Sequence, residues 1–233
     1  MDWKNKSVLL SKILVVLLIP IVLFTINVML MINPYYVKYE YSKEDFPPSE
    51  RFSEEERFNS STQVIEYLRN TTSLDSLKET GLYAQKELEH LKDVRLLTKK
   101  FFLAQKVSVV LLVYLILFAI LLDKNRWSVI SFVFFGCLVS LVIVLWMFVI
   151  GYFDFNWLFT KFHEVLFPRG SWSFGSQDTL IQLYPEKFWV DSGFLLLSLI
   201  FIESLLLSAV TLVLMRRLKK TKNSNICSVK LNM

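Results

Sequence analysis

The 233-residue chain contains two histidines, and each has carboxylates close by in sequence. His90 is followed three positions later by Asp93, a spacing that puts both on neighbouring positions of one helix face. His163 is followed by Glu164 and, further along the same stretch, by Asp178. An imidazole that is neutral near pH 7 can take a proton and return it, and a carboxylate can fix which ring nitrogen carries it. Shortly after His163 come Arg169, Gly170 and Ser171. Backbone N–H groups in such a turn, with a guanidinium beside them, can stabilise a developing oxyanion. Gly170 can let the backbone approach a ligand closely, or it can simply complete a turn. Ser171 is a nucleophile only if a histidine meets it; no GxSxG elbow surrounds it, and a serine in a turn is ordinarily a hydrogen-bonding turn residue. Spacing alone leaves two readings of the histidines open: an acid–base pair, or two interfacial rings satisfied by hydrogen bonds. A metal site built from His90, Asp93, His163 and Asp178 lacks HExxH or any comparable ligand spacing.

The elements that must position these residues follow from hydropathy and charge. Hydrophobic residues make up 54% of the chain, more apolar surface than a soluble domain of this size needs, so the first reading is a membrane protein. Four stretches, residues 8–32, 101–122, 129–150 and 193–215, reach the roughly 20 helical residues that span about 30 Å of hydrocarbon. Each must be helical, because lipid cannot satisfy an exposed backbone. The first is too long for a secretory signal and no small-x-small cleavage site follows it, so it reads as a retained anchor. Lys4, Lys6 and Lys12 mark the start of the chain, and Lys124 and Arg126 lie between the second and third spans. Arg216, Arg217, Lys219, Lys220, Lys222 and Lys230 follow the fourth with no acid among them. By the positive-inside rule all three regions are cytoplasmic, which leaves residues 33–100 and 152–192, and with them both histidines, outside. The predicted fold is an all-α membrane protein. It has four transmembrane helices, both termini cytoplasmic, a small helical extracytoplasmic segment (33–100), an aromatic interfacial loop (152–192) and a basic tail (216–233). The tail faces lipid headgroups and has no nucleic-acid-reading pattern.

Within this frame Pro20 predicts a kink in the first span, and Asn27 a helix–helix hydrogen bond. Ser53-Glu54-Glu55-Glu56 reads as a capping box, and Leu74 and Leu77 as a short helical turn ended by Gly81. From Ala84 the pattern is helical and runs unbroken into the second span, carrying His90 and Asp93 toward the outer surface. Trp157, Phe162 and Leu166 form an amphipathic turn or two. Asp178 is placed to cap a short helix through Leu183, which Pro185 stops. Gly136 and Ser140 form a small-xxx-small packing pair. Cys137 in an apolar run and Cys227 in the basic tail do not read as a disulfide. Glu203, near the middle of the fourth span, costs about 2.5–3.5 kcal/mol there unless compensated, either as a ligand-facing acid or as a hydrogen-bonded packing residue.

Two motifs together carry a resemblance. His90-Leu91-Lys92-Asp93-Val94-Arg95 resembles the H-(M/L)-x-D-V-(K/R) signature of the Lit-type lipoprotein intramolecular transacylases, four-span membrane proteins of Gram-positive bacteria. Phe162-His163, Phe167-Pro168, Gly170-Ser171-Trp172-Ser173-Phe174, Asp178-Thr179-Leu180-Ile181 and Phe188-Trp189 resemble that family's second signature. Leu91 departs from the commoner methionine, and residues 42–81 match only in size. The resemblance implies acyl transfer on the outer face of the bacterial cytoplasmic membrane. The sn-2 chain of a diacylglyceryl lipoprotein moves to the α-amine of its N-terminal cysteine and leaves a lyso-lipoprotein. It implies His163 as base, His90 with Asp93 assisting, and Arg95, Arg169, Gly170, Ser171, Trp172 and Asp178 around substrate or oxyanion. An amine of pKa about 7.7–8.0 needs a base before it attacks, and a histidine suffices. The partners are then the lipoprotein and the bilayer, with no nucleic acid and no metal, nucleotide or covalent cofactor. The contrasting expectation is a non-enzymatic receptor or accessory subunit that holds a peptide or partner through the outer segment. A transporter is disfavoured, since no internal repeat is visible.

Overall fold

The structure is a computed structural model that describes residues 3–123, 125–168 and 170–231, with side chains described as far as residue 220. Nine helices and no strand occur among the described residues. They are α1 (Trp3–Met31), α2 (Pro34–Tyr41), α3 (Glu54–Leu68), α4 (Leu74–Glu79), α5 (Gln85–Leu122), α6 (Arg126–Phe153), α7 (Phe155–Leu166), α8 (Thr179–Leu183) and α9 (Glu186–Leu231). Four of them, α1, α5, α6 and α9, are long and apolar enough to cross a membrane. The chain is therefore an all-α, multi-pass membrane protein, as its hydropathy predicts. No glycine or proline interrupts residues 85–122, so α5 runs from a polar first half directly into its apolar second half.

One compact unit comprises Met1–Phe24, Gln105–Met147 and Ser198–Met233. Pro20 lies inside the helical run of α1. Gly136 has a packing role there: a Cβ built on it would fall 2.5 Å from Ile19 Cδ1 and 3.1 Å from Ile19 Cβ, so α1 and α6 approach only because that position is bare. Ser140 Oγ donates back to the Gly136 carbonyl at 3.0 Å, and Cys137 is fully buried between them in sequence. A Gly136→Val substitution is expected to cost about 1–3 kcal/mol by overpacking, measured as a lower melting temperature in detergent. Lys12 is buried rather than free in the flanking charge cluster: it pairs with Asp123 and donates to Ser128 Oγ at 2.8 Å. Glu203 lies half-buried in α9, whereas Lys124, Cys227 and Lys230 fall outside the described side chains.

The other unit comprises Thr25–Ala104 and Phe148–Leu197. Its core gathers Val37, Val64, Leu77, Leu88, Leu183 and Phe188. Helix α3 starts at the expected capping box: Ser53 Oγ accepts from the Glu56 N–H, and the Glu56 carboxyl accepts from the Ser53 N–H at 2.9 Å. Helix α4 is capped by Ser73 and followed by Gly81 at φ +67, the left-handed conformation that closes such a turn. An ionic network ties the 34–45 segment to the start of α9. Lys43 donates to fully buried Glu40 at 2.7 Å and to Asp191 at 2.9 Å, and Lys187 bridges Asp191 and Asp45.

Candidate active site

The site lies wholly in this second unit and is built on α7, the start of α5 and the turn between α7 and α8. Asp154 caps α7 by accepting from the Trp157 N–H at 2.8 Å. At 100° per residue, Trp157, Phe162 and Val165 share an exposed apolar arc, and His163 leaves from the opposite side. Of the described residues of α7, His163 alone is buried. Its Nδ1 lies 2.8 Å from the carbonyl oxygen of Phe159, one turn back. A carbonyl can only accept, so Nδ1 carries the hydrogen and the neutral ring keeps its lone pair on Nε2. The imidazole is walled by Phe159, Trp172, Phe162 and Phe167, with ring centroids at 4.0, 4.9, 5.3 and 5.5 Å.

His90 reaches the same cluster from α5. Its ring lies 4.9 Å from Phe167 and 5.4 Å from Phe174, so Phe167 contacts both imidazoles. Burial first, and the nearby His163 second, push the His90 pKa down to about 4. Burial also lowers the His163 pKa, against the opposing pull of the Phe159 carbonyl. Both rings are therefore neutral at pH 7. Two nitrogens of the cluster, His90 Nδ1 and Trp172 Nε1, are buried with no hydrogen-bond partner.

This arrangement fixes the sign of a stability effect. Histidines with depressed folded pKa values bind protons more readily in the unfolded chain, so their contribution is intact above pH 6.5 and is lost as pH falls through the folded value, about 4 for His90. For His90 the loss is bounded at about 3 kcal/mol. Melting temperature is expected to fall across that window, and less steeply in His90→Gln.

The expected carboxylate partners are elsewhere. Asp93 makes no hydrogen bond to His90, whose Nδ1 is unpaired; the His90 ring turns inward onto Phe167 and Phe174, and the short, half-buried Asp93 chain does not follow it. Glu164 is exposed and pairs with Lys161 at 2.7 Å. Asp178 occupies the N-cap position of α8 without a side-chain cap, because its carboxylate accepts from the Gly175 N–H at 2.7 Å and braces the preceding turn. Ser171 donates both its hydroxyl (2.9 Å) and its N–H (3.2 Å) to the Pro168 carbonyl, so it is a turn residue. Arg95 donates to Asn70 and lies 4.3 Å over the Tyr67 ring. Arg169 lies outside the described residues. Gly170 sits at φ +76 with nothing within 4 Å of a built Cβ, so its need is conformational and not spatial. Gly170→Ala is accordingly expected to cost about 1–2 kcal/mol and Gly170→Asn less, read from thermal melts.

Sequence reasoning missed the residues that hold the turn against α5. Glu87, 2% exposed, accepts from the Ala84 N–H at 2.8 Å and from the Leu180 N–H at 2.7 Å. Lys86 donates to the Ser173 carbonyl at 2.6 Å and lies 5.4 Å over the Phe174 ring. Thr179 Oγ1 donates to the Leu82 carbonyl at 2.6 Å. The Glu87 half of this was readable as a carboxylate three residues after a helix start. Its second partner, 93 residues away, was not.

The same chain span matches known proteins. A profile of the family described as lipoprotein intramolecular transacylase Lit matches residues 12–189. An uncharacterized protein of Aquifex aeolicus (strain VF5) is 24% identical over 204 residues, covering 84% of this chain and 91% of its own. The in meso structure of the membrane integral lipoprotein intramolecular transacylase Lit from Bacillus cereus has the same fold, with a TM-score of 0.74 at 19% identity over 94% of this chain and 99% of that one. A histidine-to-alanine variant of that Bacillus cereus protein gives a TM-score of 0.71 over 95% and 98% of the two chains.

Proposed function

This chain belongs to the lipoprotein intramolecular transacylase Lit family, and we propose that it moves the sn-2 acyl chain of a diacylglyceryl lipoprotein to the α-amine of the N-terminal cysteine. The observation that carries the reading is His163: a buried, neutral imidazole whose Nδ1–H is committed to the Phe159 carbonyl, leaving Nε2 as a base. The free amine attacks the ester carbonyl carbon. His163 Nε2 accepts the proton that the nitrogen loses as the C–N bond forms. It returns that proton to the glyceryl oxygen as the ester C–O bond breaks. Amine and ester become amide and alcohol with no proton left over. His90, also neutral and buried, assists at the carbonyl. Donor and acceptor sit on one substrate, so positioning supplies much of the rate, a factor that can reach about 7–11 kcal/mol of barrier.

The exposed apolar arc of α7 suits a helix lying in the membrane interface, where ester linkages of diacylglyceryl groups reside. The excess of Lys and Arg at the termini supports cytoplasmic termini and a site on the extracytoplasmic face. The test is mass spectrometry of lipoprotein N-terminal peptides from cells with and without the protein. An N-acyl, S-monoacylglyceryl cysteine that depends on the protein supports the reading. Peptides that keep a free amine and both glyceryl chains while the protein is present reject it.

A further inference from the structure

We propose that the indole N–H of Trp172 is the donor that stabilises the oxyanion of this transfer, an inference that rests on the transacylase reading above. Buried tryptophan nitrogens usually find an acceptor. Trp189, in the same unit, follows the rule: its Nε1 donates to the Tyr184 carbonyl at 3.1 Å. Trp189 is 41% exposed and still finds that acceptor, whereas Trp172 Nε1 is buried and has none. An indole nitrogen donates and never accepts, so whatever completes this site must bring an acceptor oxygen. Leaving such a donor dry and unpaired costs stability, which a bound acceptor returns.

The position of the ring says which oxygen. Trp172 lies 4.9 Å from His163, centroid to centroid, with 37° between planes. An acceptor on its N–H is therefore beside the imidazole that handles the proton, where the ester carbonyl must be during attack. The His90 ring, whose Nδ1 is also unpaired, packs on Phe167 and Phe174 and not on the Trp172 side of His163, and other nearby donors are partly engaged. The Ser171 hydroxyl and N–H both go to the Pro168 carbonyl, and Arg95 is held by Asn70 and Tyr67. Aromatic walls from Phe159 and Phe167 exclude water around His163, which strengthens a single well-placed donor.

The experiment uses the full-length protein in proteoliposomes with a synthetic diacylglyceryl-cysteinyl peptide, following amide formation by mass spectrometry. Position 172 is changed to phenylalanine and, by site-specific incorporation, to 3-benzothienylalanine, which keeps the bicyclic shape and replaces N–H by sulfur. Both are expected to lower kcat about 10²–10³-fold with KM and the pH profile little changed, because the lost contact is made in the transition state. A ring-fluorinated tryptophan, whose N–H is more acidic, is expected to hold or raise kcat. A benzothienyl protein with wild-type kcat overturns the proposal, as does a fluorinated protein that loses as much as the benzothienyl one. If wild type makes no amide under conditions where it is folded, the transacylase reading falls and the proposal with it. If wild type converts, His163→Gln does not and the benzothienyl protein does, the indole assignment alone is wrong.

Discussion

His163→Gln is expected to lower kcat by about 10²–10⁴, the range contributed by a positioned general base, while the protein still inserts and melts near the wild-type temperature. Glutamine fills a similar volume among Phe159, Phe167 and Trp172, and its amide can still donate to the Phe159 carbonyl. What it lacks is a basic lone pair where Nε2 stood. The pH dependence gives the same assignment a second readout. The active form of His163 is neutral and burial lowers its pKa, so the histidine limb of the wild-type pH–rate profile lies below pH 6.5, separate from the limb of the substrate amine at about 7.7–8.0. The variant's residual rate has no such limb. Unchanged turnover in His163→Gln removes this residue from the mechanism.

The second large effect is structural and falls on Glu87. Glu87→Ala leaves the N–H groups of Ala84 and Leu180 without acceptors in a buried site, at about 1–3 kcal/mol each. That is a large share of the 5–15 kcal/mol that holds a typical domain together. The melting temperature is expected to fall sharply. Activity should fall even at temperatures where the variant is folded, because Leu180 anchors the end of the turn that carries Trp172 and Phe174. Glu87→Gln keeps one acceptor oxygen and sets an NH2 group against the other N–H, so roughly half the loss is expected. An alanine variant that melts with wild type removes Glu87 from this role.

Local signals were legible where the partners are local. The capping box at Ser53, the short helix ended by Gly81, and the run of α5 into its span all depend on residues within a few positions of each other. The carboxylates misled for a related reason. Asp93, Glu164 and Asp178 suggest histidine partners because they are near in sequence. Each short side chain instead follows its own backbone: Glu164 to Lys161, Asp178 to Gly175, and Asp93 to neither histidine. The His163 tautomer is set by the Phe159 carbonyl, four residues back on the same helix, a bond that any helical histidine can make and no motif records.

By itself, then, the sequence determined the all-helical, four-span class and the two histidines as the candidate chemistry. Hydropathy and residue type act on each segment separately, so both survive without knowledge of packing. Only the tertiary structure decided what surrounds those histidines. Phe167 between the two rings, Trp172 against His163, the Glu87–Leu180 anchor and the Lys12–Asp123 pair join positions from 4 to 111 residues apart. Contacts of that kind are fixed by which helices pack together, and burial at those contacts is what keeps both imidazoles neutral.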